Sequence, residues 1–211
     1  MIQNRIPGHV ERVGLFGGTF DPIHLGHLIL AEAALEELAL DRIIFLPAAL
    51  SPHKTDHPPA ASAAERLRMI ELAIEEEPRF SVDDREMHRE DPSYTIDTVR
   101  SLLGDYPGVR FLYLIGADNV RNLKSWHGIA ELKNLVDFAV LDRAVEGKCN
   151  TSEFPVVHRR MDLSSTEIRE RLAKGLSVRY LLPSTVHHHI MTHRLYTPLS
   201  SSSSSFADAQ A

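Results

Sequence analysis

Short apolar runs alternate with amphipathic stretches along most of this chain. Val13 to Phe16, Arg42 to Leu46, Phe80 to Val82, Val109 to Ile115 and Phe138 to Leu141 are mostly apolar and short, as buried parallel strands are. Between them the period lengthens. From Leu28 to Leu40, Leu28, Ala31, Leu35 and Leu38 recur at helical spacing, while Glu32, Glu36 and Glu37 supply a solvated side. Ser62 with Glu65 has capping-box spacing and opens a helix to about Glu76, with Leu67, Ile70, Leu72 and Ile74 on its buried side. Further helices are predicted over Tyr94 to Leu103, Ile129 to Leu135, and Ser164 to Lys174, where Gly175 stops the last. Pro183 sits where a first helical residue would and opens a final helix to about His193. Strands alternating with helices predict an α/β fold, a mostly parallel sheet with helices on both faces. Ligands of such sheets gather beyond the strands' carboxyl ends, where the strand order reverses. Gly17-Gly18, Pro47 to Lys54, and Gly116-Ala117-Asp118 all follow predicted strands.

The first of these is the most telling. Gly17-Gly18-Thr19-Phe20-Asp21-Pro22-Ile23-His24-Leu25-Gly26-His27 joins a strand to a helix start. The glycines let backbone amides approach a ligand, and a helix N-terminus favours anions. His24 and His27, three positions apart, share a helix face and can project together toward that anion. Ser164-Ser165-Thr166-Glu167-Ile168-Arg169 is a second candidate: a capped helix start with hydroxyls in its first turn and a guanidinium one turn on. By itself it reads equally as an ordinary surface helix. Two such N-termini suit a polyphosphate. Pro52-His53-Lys54, in a long Pro- and Ala-rich loop from Pro47 to Ser62, adds a cation that by itself reads as a solvated loop lysine. Trp126, the single tryptophan, offers a flat π-face or a core-packing side chain.

Composition narrows the classes. A chain of 211 residues suits one domain, and a net charge of −6 argues against a general nucleic-acid or acidic-membrane binder. The start, Met1 to Arg12, has no apolar signal region, and no run reaches membrane-span length. The lone cysteine, Cys149, excludes an internal disulfide framework and suits a reducing compartment. A cytoplasmic protein is expected. The serine run Ser200 to Ser205 and the residues after it predict a disordered tail over 199–211. The run His187-His188-His189, with His193, lacks a cysteine or carboxylate cluster to complete a metal site, so a solvent-facing helix is expected there.

Together these blocks resemble the nucleotidylyltransferase superfamily, with its His-x-Gly-His element. Pro52-His53-Lys54, Ser93-Tyr94-Thr95-Ile96-Asp97-Thr98, Gly116-Ala117-Asp118, Ser125-Trp126-His127, Ser164 to Arg169 and Leu181-Leu182-Pro183 with Val186 narrow the likeness to the bacterial nicotinate-nucleotide adenylyltransferases, from about Val10 to Tyr196. The resemblance implies a Rossmann-like doubly wound domain over 1–198, with C-terminal helices between 164 and 193 completing an ATP site. It implies adenylyl transfer from ATP to nicotinate mononucleotide, with Mg²⁺ carried on the ATP phosphates and no covalent enzyme intermediate. It implies catalytic roles for His24, His27, Lys54 and Arg169. For ATP it adds Gly17, Gly18, Thr19, Phe20, Gly116, Asp118, Ser165 and Thr166. For the mononucleotide it implies Asp21, Lys54, Tyr94, Thr95 and Trp126. Its partners would be these small molecules, without nucleic acid or membrane, and a homo-oligomer stays open.

Three positions depart from the pattern. Ser51 precedes Pro52 and Ala144 follows Arg143 where prolines are usual, and His189 replaces a tyrosine. Three other readings compete: a phosphopantetheine adenylyltransferase, a silent nucleotide-binding module on the same fold, and a zinc-binding protein using the histidines.

Overall fold

The computed structural model describes residues 11–48, 58–89, 93–143 and 153–197. Lys54, Ser51, Ala144, Cys149 and the tail lie outside them, as does most of the Pro47 to Ser62 loop.

Six strands form one parallel sheet: β1 (Arg12–Gly18), β2 (Arg42–Pro47), β3 (Phe80–Val82), β4 (Arg110–Gly116), β5 (Asp137–Asp142) and β6 (Val156–His158). Their order is β3-β2-β1-β4-β5-β6. The reversal falls between β1 and β4, which are paired from Arg12 against Arg110 to Phe16 against Leu114. This is the doubly wound pattern in which a crevice opens beyond the strand ends.

The strands' alternation divides the core in two. Phe16, Ile43, Phe45, Leu112, Leu114 and Leu141 face a cluster closed by α1 (Leu25–Glu37), α2 (Ala63–Ile74), α6 (Ser165–Ala173) and α7 (Ser184–His193). Leu15, Ile44, Leu46, Phe111, Tyr113 and Val140 face the other, closed by α3 (Thr95–Asp105) and α5 (Ile129–Leu135). A four-residue helix, α4 (Ala117–Val120), and a 3₁₀ turn at Leu123–Ser125 follow β4.

Local signals set several boundaries. Ser62 Oγ accepts from Glu65 N and Ser164 Oγ from Glu167 N, each at 3.2 Å. Gly175 follows α6 at φ +68°. Other expectations need correction. α1 begins at Leu25, three residues before the predicted start, because the histidine-bearing segment is itself the first turn. α2 buries Ile70 and Ile74 as expected, but Leu67 and Leu72 are only half-buried; Met69 and Arg66, which has carbonyl partners in the interior, complete the buried face. Pro183 is the residue before α7, not its first. His189 is not solvent-facing: its Nε2 lies 2.6 Å from Glu65 Oε2, joining α7 to α2.

Candidate active site

The carboxyl ends of β1 and β4 meet around the segment Gly17 to His27. Gly17 and Gly18 are strand residues, in register with Leu46 and Pro47. A Cβ on Gly17 would lie 2.3 Å from Tyr113 Oη, and one on Gly18 would lie 2.8 Å from the Phe20 ring. The close approach that requires glycine is therefore first of all to the protein's own aromatic rings. Phe20 turns the chain at φ +50°, a conformation uncommon outside glycine. Its ring is buried against Phe16, Phe45 and His27, so only its backbone remains for a ligand.

Asp21 holds the next turn. It is 5% exposed, and its carboxylate accepts from Ala60 N at 2.7 Å, Ala61 N at 3.1 Å and the Tyr196 hydroxyl at 2.8 Å. Those bonds turn the carboxylate inward, toward the protein. Arg66, buried on α2, donates to Thr19 O and Ala48 O, each at 2.7 Å. From the other side Arg169 Nη1 donates to Asp21 O at 2.6 Å and Ser165 Oγ to Pro22 O at 2.9 Å. Thr166 Oγ1 accepts from Arg169 Nη2 at 3.3 Å. The hydroxyls expected to face outward thus dock α6 onto the loop and orient the guanidinium.

His24 and His27 stack with ring centroids 3.8 Å apart. His24 N donates to His27 Nδ1 at 3.2 Å, so in the neutral His27 ring the proton sits on Nε2. His24 is 1% exposed and its Nδ1 has no hydrogen-bond partner among the described residues. Burial first, then the charge of Arg143, lowers the His24 pKa to about 4. Burial, His24 and Arg143 in that order hold His27 well below its ordinary value. Both rings are neutral near pH 7 and offer N–H donors rather than charges. Positive charge near them comes from Arg143, at the end of β5, whose Nη1 donates to Leu163 O at 3.0 Å, and from Arg169.

A cavity of about 450 Å³ opens on the α3 side of the loop. Gly17, Gly18, Thr19 and Gly116 form its strand-end wall, with Tyr94, Thr95 and Trp126 opposite. The Trp126 ring meets Tyr113 edge-on at 5.8 Å, and Tyr94 stands against His127 at 4.6 Å. Glu86, from the stretch after β3, also lines it. Among the described residues no group of three His, Cys, Asp or Glu side chains is arranged to hold a metal, and no helix is long and apolar enough to cross a membrane.

A model of the cytidylyltransferase-like family matches residues 15–171. A Herpetosiphon aurantiacus protein named probable nicotinate-nucleotide adenylyltransferase is 41% identical over 198 residues, covering 89% of this chain and 99% of the relative. One of the same name from Shouchella clausii is 44% identical over 188 residues, covering 89% and 97%. The chain belongs to the nicotinate-nucleotide adenylyltransferase family. A Plasmodium falciparum nicotinic acid mononucleotide adenylyltransferase, complexed with NaAD, shares the fold: TM-score 0.73 at 17% identity, over 88% of this chain and 97% of that one.

In this family member the sequence-predicted residues fall into two groups either side of the Thr19 to Pro22 turn. Gly17, Gly18, Thr19, Tyr94, Thr95, Gly116 and Trp126 line one cavity. His24, His27, Ser165, Thr166 and Arg169 gather where α1 and α6 begin. Asp118 is exposed in α4, with Oδ1 2.5 Å from where a Gly116 side chain would start. Sequence reasoning missed Arg66, Glu86, Tyr113 and Arg143. The Arg143 signal was present, since it sits in a block compared with the family, but its geometry was not.

Proposed function

We propose that this protein transfers the adenylyl group of ATP to nicotinate mononucleotide, releasing deamido-NAD and pyrophosphate. The carrying observation is the division at the Thr19 to Pro22 turn. On one side is a cavity walled by Trp126, Tyr94 and the α3 N-terminus; on the other are His24, His27, Arg143 and Arg169. The cavity suits a flat ring, and the cationic side suits a triphosphate. The relatives' names and the family match support the same substrates.

In the reaction a mononucleotide phosphate oxygen forms a bond to the α-phosphorus of ATP as the bond to the bridging oxygen of pyrophosphate breaks. The electron pair leaves with pyrophosphate. No protein nucleophile is required, so positioning and charge neutralisation supply the acceleration. The Nε2–H of His27 and the guanidinium of Arg169 stabilise the charge that builds on the leaving phosphates. His24 supports His27 by stacking, and Ser165 and Thr166 hold Arg169 in place. Backbone groups of Gly17, Gly18, Thr19 and Phe20 line the nucleotide path, Gly116 and Asp118 border the ATP side, and Lys54, outside the described residues, is assigned a phosphate. Tyr94, Thr95 and Trp126 bind the pyridine ring and its carboxylate. Mg²⁺ arrives with ATP as its phosphate complex, so the protein need not supply a cage of its own. The setting is cytoplasmic.

Pyrophosphate release with ATP, Mg²⁺ and one acceptor at a time tests this. Nicotinate mononucleotide should support release, its amide should do so less well, and 4′-phosphopantetheine should not. Release with phosphopantetheine alone would overturn the assignment.

A further inference from the structure

Glu86 is the acid in the cavity wall. It is 6% exposed, on the stretch after β3, and among the described lining residues no lysine or arginine faces it across the cavity. Its Oε1 accepts from Thr98 Oγ1 at 2.7 Å, and Thr98 Oγ1 in turn accepts from Arg89 Nη1 at 2.9 Å. Burial pushes the Glu86 carboxyl above its ordinary value, and the Thr98 hydrogen bond with the charge of Arg89 opposes that rise; a cationic ring beside it would favour the ionised carboxylate further. Its Oε2 makes no hydrogen bond to any described residue. The neighbouring polar groups in the wall, the Tyr113 phenol and the α3 residues Tyr94 and Thr95, offer donors to an anion. The buried acid is unexplained by adenylyl transfer as such.

We propose that Glu86 is a specificity residue that selects the oxidised, positively charged pyridinium ring of the mononucleotide over its neutral, reduced dihydropyridine form. This rests on the mononucleotide assignment above. A nicotinate ring carries a fixed positive charge at its ring nitrogen and a negative carboxylate. The cavity matches both: Glu86 and the π-faces of Trp126 and Tyr94 attract the cation, and the α3 N-terminus attracts the carboxylate. Reduction removes the positive charge and leaves the carboxylate and phosphate unchanged. A desolvated carboxylate beside the ring therefore discriminates against the reduced form, by at least about tenfold at an effective dielectric typical of proteins.

The test compares nicotinate mononucleotide with its 1,4-dihydro form, at saturating ATP and Mg²⁺, in the wild-type chain and in Glu86→Gln. The wild type should prefer the oxidised form by at least about tenfold in kcat/KM. Glu86→Gln should lower kcat/KM for the oxidised form by about tenfold, through KM, while changing the reduced form and the KM for ATP less than about twofold. Equal use of both forms by the wild type would overturn the proposal, as would a variant that loses both equally. Calorimetric binding of the two mononucleotides to the wild type without ATP makes the same comparison independently of turnover and of how the variant folds. Equal affinities there overturn the Glu86 assignment. Selective pyridinium binding without dinucleotide formation would support it while refuting adenylyl transfer.

Discussion

Replacing Asp21 removes one small side chain from a junction of four elements. Its carboxylate accepts two backbone amides, Ala60 and Ala61, and the Tyr196 hydroxyl, and Arg169 Nη1 stands 3.8 Å from Oδ2. A hydrogen bond to a charged group contributes roughly 1.5–3 kcal/mol, and a buried charge deprived of its partner costs roughly 3–5 kcal/mol. These losses overlap, because Arg66 keeps its two carbonyls and water reaches part of the junction. Asp21→Ala should therefore cost about 4 kcal/mol, or roughly 8–16 °C in Tm for a chain of this size. Asp21→Asn keeps the shape and one acceptor, and should cost about half as much. Tyr196→Phe removes only the phenol, which burial and the Asp21 carboxylate keep protonated as a donor, and should cost about 1 kcal/mol. Calorimetric melting measures all three. In a double-mutant cycle Asp21→Ala and Tyr196→Phe should fall short of additivity, because both delete the bond between Tyr196 and Asp21. An Asp21→Ala variant within about 1 kcal/mol of wild type would refute the view that this carboxylate holds the loop together.

Three further predictions concern the same segment. The His24 pKa lies near 4 in the fold against 6.5 in a free chain. Below pH 6.5 the unfolded state therefore takes up protons that the folded state refuses. Stability should fall by about 3 kcal/mol as pH drops from 6.5 to 4, and His24→Asn should flatten that slope in pH-dependent melting. Gly17→Ala places a methyl against Tyr113 Oη and should cost about 2 kcal/mol; adding Tyr113→Phe should recover more than half of it in denaturant titrations. His27→Ala should lower kcat by at least about 100-fold while lowering Tm by only a few degrees, since it removes one phosphate donor and one cap. Near-normal turnover in that variant would end the proposed role for His27.

What could be read from the sequence was local. Ser62 and Ser164 cap their helices through bonds spanning three residues, and the strand runs were visible because apolar residues are contiguous. β6 was missed because Val156–His158 directly follows Pro155 and, unlike the equally short Phe80–Val82, shows no alternation to reveal it. The site was legible as a set of blocks but not as a machine. Asp21 looked like a ligand contact alone because its partners lie 39, 40 and 175 positions away. Gly17 looked like a ligand approach alone because nothing nearby in the chain announces the Tyr113 ring, which arrives from β4. Glu86 sat in a charged, irregular stretch, where its burial is a property of the assembled cavity. Sequence spacing reports helix faces and caps; it does not report which distant strand delivers a side chain.

On the proposed function, the Gly17 to His27 loop holds two substrates so that they react with each other. A single-turnover reaction with ATP labelled at the α-phosphate, nicotinate mononucleotide and Mg²⁺, quenched at intervals and separated into protein and small molecules, tests it directly. The label should pass from ATP into deamido-NAD with one pyrophosphate released for each, and none should appear on the protein. Label attached to the protein, or recovered only as AMP, would contradict the account.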